Sequence, residues 1–68
     1  MPTEAGMSEA NRRQIQEALS GLGYYKGPVD GIFGRGTRTA IRLFQRDNKA
    51  AATGHLTADE ANDLVTAR

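Results

Sequence analysis

Apolar residues recur at helical spacing in three stretches of the chain. Ile15, Ala18, Leu19 and Leu22 follow the i, i+3, i+4, i+7 pattern of one helical face, while Arg13, Gln16, Glu17 and Ser20 point elsewhere. Ser8 is placed to cap the start of this stretch and Gly23 to end it in a left-handed conformation, so a first helix is expected over about residues 9–22. A second is expected over about residues 35–48. At about 100° per residue, Thr37, Ile41, Phe44 and Asn48 fall on one side of it, and Arg35, Arg38, Arg42 and Arg46 on nearly the opposite side. Asn48 tolerates the left-handed conformation and is expected to close that helix. The third helix has the clearest start, because Thr57-Ala58-Asp59-Glu60 is a capping box and Leu56 can staple against Ala61. Ala61, Leu64 and Val65 then form its inner face. Residues 49–55 connect the second and third helices, and residues 1–7, small and polar without periodicity, are expected to be a disordered lead-in to a domain over residues 8–68. The fold class is therefore all-α, a compact three-helix bundle.

Six of the eight glycines fall between residues 21 and 36. Gly27-Pro28 and Asp30-Gly31 are turn signals, yet Tyr24, Tyr25, Val29, Ile32 and Phe33 are too apolar for a flexible linker. An ordered glycine-rich loop packed onto the helices fits both features. Part of it returns later in the chain, where residues 31–41 align without gaps on residues 54–64. Each copy runs glycine, variable residue, large apolar residue, helix cap, and a second apolar residue eight positions after the first. A glycine turn thus buries an apolar residue just before a cap and fixes the entry angle of the helix. By this register Gly34 caps the second helix and Thr37 stands where Glu60 stands. Two copies are too few for a solenoid.

Composition narrows the function classes. Sixty-eight residues support one small core and no deep catalytic cleft. Nine Lys plus Arg against eight Asp plus Glu leave a net charge of +1, without the strong field of a dedicated nucleic-acid binder. With no cysteine there is no disulfide, thiolate metal site or cysteine nucleophile. The chain has no membrane-spanning stretch and no signal peptide, so if the native protein is exported this chain is a piece excised from it. Enzyme-like signals fail individually. Gly31-x4-Gly36-Thr37-Arg38 has the glycine spacing of a phosphate-binding loop but puts Thr37 at its lysine position. His55 is the single histidine, which excludes a multi-histidine zinc site or a Cys–His pair. Asp59, Glu60 and Asp63 complement the dipole of the third helix, and no groove offers the paired carboxylates of a glycosidase. No catalytic residue, metal or cofactor is expected.

The run Leu19-x-x-Leu22-Gly23-Tyr24-Tyr25, followed by Gly27-Pro28-Val29-Asp30-Gly31-x-Phe33-Gly34-x-x-Thr37-Arg38-x-Ala40-Ile41-x-x-Phe44-Gln45 and Thr53-Gly54-x-Leu56-Thr57, resembles the small peptidoglycan-binding domain of bacterial cell-wall hydrolases and envelope proteins. The resemblance covers about residues 9–66. It implies a three-helix fold without catalytic activity that anchors attached domains to murein, in the periplasm or cell wall, as a monomer without nucleic-acid or membrane partners. Two departures stand out. Arg35 replaces a frequent proline at the first helical position. Lys49-Ala50-Ala51 replaces a Gly-Leu-Pro-like segment, and if position 50 is buried, alanine there costs on the order of 2 kcal/mol relative to leucine.

The candidate binding face comprises Tyr24, Tyr25, Asp30, Arg35 and Arg38, in or beside the glycine-rich loop. Tyrosines can stack on sugar rings while their hydroxyls meet acetamido groups, although one of the pair is expected to fill the core beneath the loop. Asp30 is expected to hold backbone amides in an Asx turn in preference to touching ligand. Phe33, Ile41 and Phe44 belong to the core by pattern. The arginine stripe reads three ways: a solvated helix face, a surface where Arg35 or Arg38 pairs with stem-peptide carboxylates, or a DNA-tracking helix. The last lacks base readers apart from Gln45 at the edge of the stripe. The competing function is a protein-docking or regulatory module using the same fold, which a large exposed apolar patch would favour.

Overall fold

The computed structural model describes residues 1–67; Arg68, the last residue of the expected domain, lies outside the described residues. Three helices form, α1 over Glu9–Gly21, α2 over Arg35–Asp47 and α3 over Ala58–Ala67, and the described residues contain no strand. Ser8 starts α1 by a reciprocal pair of bonds. Its Oγ accepts the Asn11 N–H at 3.1 Å and Asn11 Oδ1 accepts the Ser8 N–H at 3.1 Å. Two of the otherwise orphaned amides are thereby satisfied, an arrangement worth about 1 kcal/mol. At the other end Gly23 takes φ 88°, donating to Ser20 O at 3.0 Å, while the Tyr24 N–H reaches Leu19 O at 2.9 Å. This closure places Leu22 just beyond the helix at 38% exposure, so the expected inner face of α1 is cut back to Ile15, Ala18 and Leu19.

Helix α3 starts as its capping box requires. Thr57 Oγ1 accepts the Glu60 N–H at 3.1 Å and Glu60 Oε1 accepts the Thr57 N–H at 3.0 Å. Gly34 caps α2 in an extended conformation, as the internal repeat requires. The C-terminus of α2 differs from expectation. Asn48 stays at φ −93° and its Nδ2 donates back to Phe44 O at 2.8 Å, so the left-handed residue is Lys49 at φ 60°. That reversal lets the Ala50 N–H reach Gln45 O at 2.9 Å. Ala50 itself is exposed, so the condition for the packing penalty at that position is not met.

Helix α1 packs against both α2 and α3. Ile15, Ala18 and Leu19 from α1, Ala40, Ile41 and Phe44 from α2, and Ala61 and Leu64 from α3 meet in one core, joined by Tyr25 and Leu56 from the connections. Each large aliphatic side chain buried there stabilises the fold by about 1.5–3 kcal/mol. Val65 and Phe33 pack against this core only partly buried. The radius of gyration is 10.3 Å, close to the roughly 11 Å expected for the chain length.

Two further expectations are corrected. Gln16, placed by its polarity on the outer side of α1, is fully buried, because its amide has hydrogen-bond partners in the glycine-rich loop and in α2. Residues 1–7 differ from a disordered lead-in. Glu4–Gly6 form a turn of 3-10 helix and Met7, 6% exposed, belongs to the core, since an apolar side chain and an acceptor at Glu4 both find partners on the bundle.

Candidate functional site

The glycine-rich loop is held by a side chain that it wraps. Gln16 Oε1 accepts the N–H groups of Asp30 at 3.0 Å and Gly31 at 2.8 Å. Its Nε2 is shared among Ile32 O at 2.9 Å, Asp30 Oδ1 at 3.2 Å and Thr37 Oγ1 at 3.2 Å. Gln45 repeats the arrangement one helix later. Its Oε1 accepts the Gly54 N–H at 2.9 Å, and its Nε2 meets His55 O at 2.8 Å, Glu60 Oε1 at 3.1 Å and Thr53 Oγ1 at 3.2 Å. Gly31 and Gly54 occupy equivalent turns at φ 78° and 81°. The positive φ calls for glycine at both, and at Gly31 space does too, since a Cβ there would lie 2.6 Å from Glu9 Cγ. The first glutamine stands 21 residues before Thr37 and the second 15 before Glu60. The difference is the extra chain of the glycine-rich loop. Gln45 is 1% exposed in this role, which removes it as a base reader at the edge of the arginine stripe.

The five candidate residues are placed as follows. Tyr25 is 7% exposed and its hydroxyl donates to Pro28 O at 2.7 Å. Tyr24 is half-buried, edge-on to Phe44 with ring centroids 6.2 Å apart, and its hydroxyl donates to Asp47 Oδ2 at 2.6 Å. That hydrogen bond to a carboxylate, reinforced by burial and by the negative charge of Asp47, raises the Tyr24 pKa. Asp30 Oδ1 accepts the Ile32 N–H at 2.9 Å, closing an Asx turn. This bond, with the one from Gln16, holds the Asp30 carboxyl below its ordinary pKa. Arg35 is exposed in the first turn of α2. Arg38 is half-buried, with its guanidinium 5.5 Å from the Phe33 ring centroid and Nη1 donating to Gly54 O at 3.0 Å and Glu4 Oε1 at 2.6 Å.

These residues do not converge on one point. Tyr24 reaches the last residue of α2 while Arg35 begins it, roughly 18 Å away at 1.5 Å rise per residue. What does cluster is Arg38, Phe33, Gly54, His55 and Leu56 around the Glu4 carboxylate. Glu4 and His55 were not among the sequence candidates, and nothing in their local pattern singles them out. The exposed apolar side chains Val29 and Ile32 lie in the glycine-rich loop, Ile32 at 68% exposure. Among the described residues there is no enclosed pocket and no metal-binding cluster of acidic or histidine side chains. No helix among them is long and apolar enough to cross a membrane.

Comparison with known proteins matches residues 8–62 to the family described as "Putative peptidoglycan binding domain". The "Localization factor PodJL" of Caulobacter vibrioides is 42% identical over 57 residues, 84% of this chain and 6% of the relative. The "Putative OxPP cycle protein OpcA" of Synechocystis is 39% identical over 54 residues, 79% of this chain and 11% of the relative. The "Spore cortex-lytic enzyme" of Oceanobacillus iheyensis is 50% identical over 32 residues, 47% of this chain and 12% of the relative. The chain thus spans about an eighth or less of each of these relatives. No solved structure matches it.

Proposed function

Because the chain belongs to the peptidoglycan-binding domain family, we propose that it is a non-catalytic murein-binding module that holds a larger envelope protein at the bacterial wall, in the periplasm or cell wall. The observation that carries this reading is the family match over residues 8–62, which takes in α1, the glycine-rich loop, α2 and the start of α3. The open surface of the described residues, without a pocket among them, suits a polymeric ligand, since many weak sites on one polymer give retention without high single-site affinity. In this reading the exposed Arg35 and the half-exposed Tyr24 contact the wall, Tyr25 and Asp30 keep the loop in shape, and Arg38 supplies a guanidinium to a carboxylate.

A second reading rests on Ile32. A side chain of that size at 68% exposure, with Val29 at 41% in the same loop, suits docking onto a protein surface. Co-sedimentation with insoluble sacculi separates the two, with chitin and double-stranded DNA as controls. Selective pelleting with sacculi is expected, weakened about two- to fivefold by Arg35→Ala and reduced at moderate salt, the scale of an exposed ion pair. A folded chain that stays in the supernatant would overturn the wall reading and leave docking.

A further inference from the structure

The Glu4 carboxylate sits in a cradle built by three residues from two other parts of the chain, α2 and the connection between α2 and α3. Arg38 Nη1 from α2 donates to Oε1 at 2.6 Å, the backbone N–H of Leu56 donates to Oε2, and His55 Nδ1 lies 3.8 Å from Oε1. Each carboxylate oxygen therefore has its own donor, the geometry of specific carboxylate recognition. Arg38 is positioned for this independently of Glu4. Its guanidinium lies over the Phe33 ring and its Nη1 is tied to Gly54 O, and Gly54 is in turn fixed by Gln45. Every donor belongs to residues 8–62, whereas the carboxylate comes from the segment before them. With Glu4 in place its own side chain is 16% exposed and that of Arg38 27%, while that of His55 is 68% exposed, so the cradle lies at the surface, covered by the arm and reached from the His55 side.

We infer that this cradle is a receptor for a peptide carboxylate of the murein stem, and that Glu4 occupies it in cis as an internal stand-in that the wall displaces. The inference rests on the wall-binding reading and names the chemistry recognised there. Occupancy by the chain's own carboxylate lowers apparent affinity by the fraction of time the cradle is free. An arm docked nine-tenths of the time weakens binding about tenfold. Arg38 would then be held ready, without forming an ion pair for the first time when ligand arrives.

The test uses the whole isotope-labelled chain and a soluble disaccharide-tetrapeptide released from sacculi, with the same molecule amidated at its carboxyls as control. In the unmodified chain, saturating peptide is expected to move the Leu56 amide resonance, because its acceptor is exchanged; a stationary Leu56 signal overturns the inference. Glu4→Gln, with folding checked by its melting curve, is expected to tighten binding of the acid form about tenfold and leave the amidated form unchanged. Adding Arg38→Lys to Glu4→Gln should remove that gain, since an ammonium cannot reproduce the guanidinium geometry. Equal affinities of the unmodified and Glu4→Gln chains, or a gain shared by the amidated peptide, would overturn it. An acetylated peptide of residues 2–6 that moves Leu56 at concentrations where the stem peptide does not would transfer the cradle to a protein partner and equally overturn it. Sacculus pelleting, run in parallel, keeps the two readings apart. Pelleting without a Leu56 response sinks the cradle alone, whereas no pelleting by either chain sinks the wall reading.

Discussion

At the scale of single residues, Lys49 shows what a side chain costs in a left-handed position. It lies at φ 60°, the left-handed region, which disfavours a side chain by about 1–2 kcal/mol. The resemblance places a glycine in this segment, and the Ala50 N–H bond to Gln45 O explains why the backbone must reverse there. Lys49→Gly removes the strain but gives the unfolded chain more freedom, an opposing effect of about 0.4–1 kcal/mol. The net expectation is a stabilisation of about 0.5 kcal/mol, or a melting temperature raised by about 2–4 °C. Urea unfolding that shows no gain would mean that the helix end relaxes around lysine without strain. Asn48 was the expected left-handed residue because asparagine tolerates that region better than most residues. Its amide is occupied instead with Phe44 O, a competition between two local hydrogen bonds that residue preference alone does not resolve.

At the scale of elements, the fold is one joint used twice, a buried glutamine on one helix holding the turn before the next. Truncating Gln16 to alanine strands the Asp30 and Gly31 amides, and truncating Gln45 strands that of Gly54. Each buried group left unpaired costs about 1–3 kcal/mol, so each variant is expected to lose about 2–3 kcal/mol. The signature should be local. Relative to the Ile41 amide as a report of global opening, hydrogen exchange at Gly31 should quicken only in Gln16→Ala and at Gly54 only in Gln45→Ala. Equal acceleration of both turns in either variant would show that the joints are not separate. These joints also mark the limit of sequence reading. The capping boxes at Ser8 and Thr57 close within four residues, and Thr57-x-x-Glu60 is plain in the sequence. The glycine repeat at Gly31 and Gly54 was legible for the same reason. Gln16 was not, because its partners stand 14 to 21 residues away and a lone polar residue on a helical wheel is assigned to solvent. Its place beside Ile15 and Leu19, and that of Gln45 beside Phe44, is the one signal that an amide was turned inward. The candidate face was legible as a set of residue types in or near one loop. Its dispersal along α2 and the pairing of Arg38 with Glu4 depend on contacts between distant segments.

For the whole molecule, the decisive quantity is how little apolar surface holds three short helices together. The core gathers eleven residues, and one of them, Met7, comes from the arm ahead of α1. Arg12 fastens the arm where it joins the bundle, its Nη1 donating to Met7 O at 2.9 Å while Nε donates to Gly31 O at 2.6 Å. The same side chain thus ties the arm to the glycine-rich loop, so an arm that leaves to free the Arg38 cradle must release above Met7 and must also give up the bond from the Met1 ammonium to Asn62 Oδ1 and the packing of Met1 on the core. That requirement makes a sharp distinction between two changes in neighbouring residues. Met7→Ala removes a side chain that is 6% exposed and is expected to cost about 2–3 kcal/mol. In a domain of this size that lowers the melting temperature by roughly 10–20 °C. Glu4→Gln keeps the side-chain shape and one acceptor oxygen but discharges a mostly covered ion pair, 27% exposed at Arg38 and 16% at Glu4, and should cost about 1–1.5 kcal/mol, a shift of roughly 5–10 °C. Comparable melting temperatures for the two variants would mean that the arm is held as one piece from Met1 to Met7, in which case its carboxylate could not exchange for a ligand without loosening the fold. A large loss for Met7→Ala beside a smaller one for Glu4→Gln is the pattern in which the arm's carboxylate can leave its cradle while Met7 stays seated in the core.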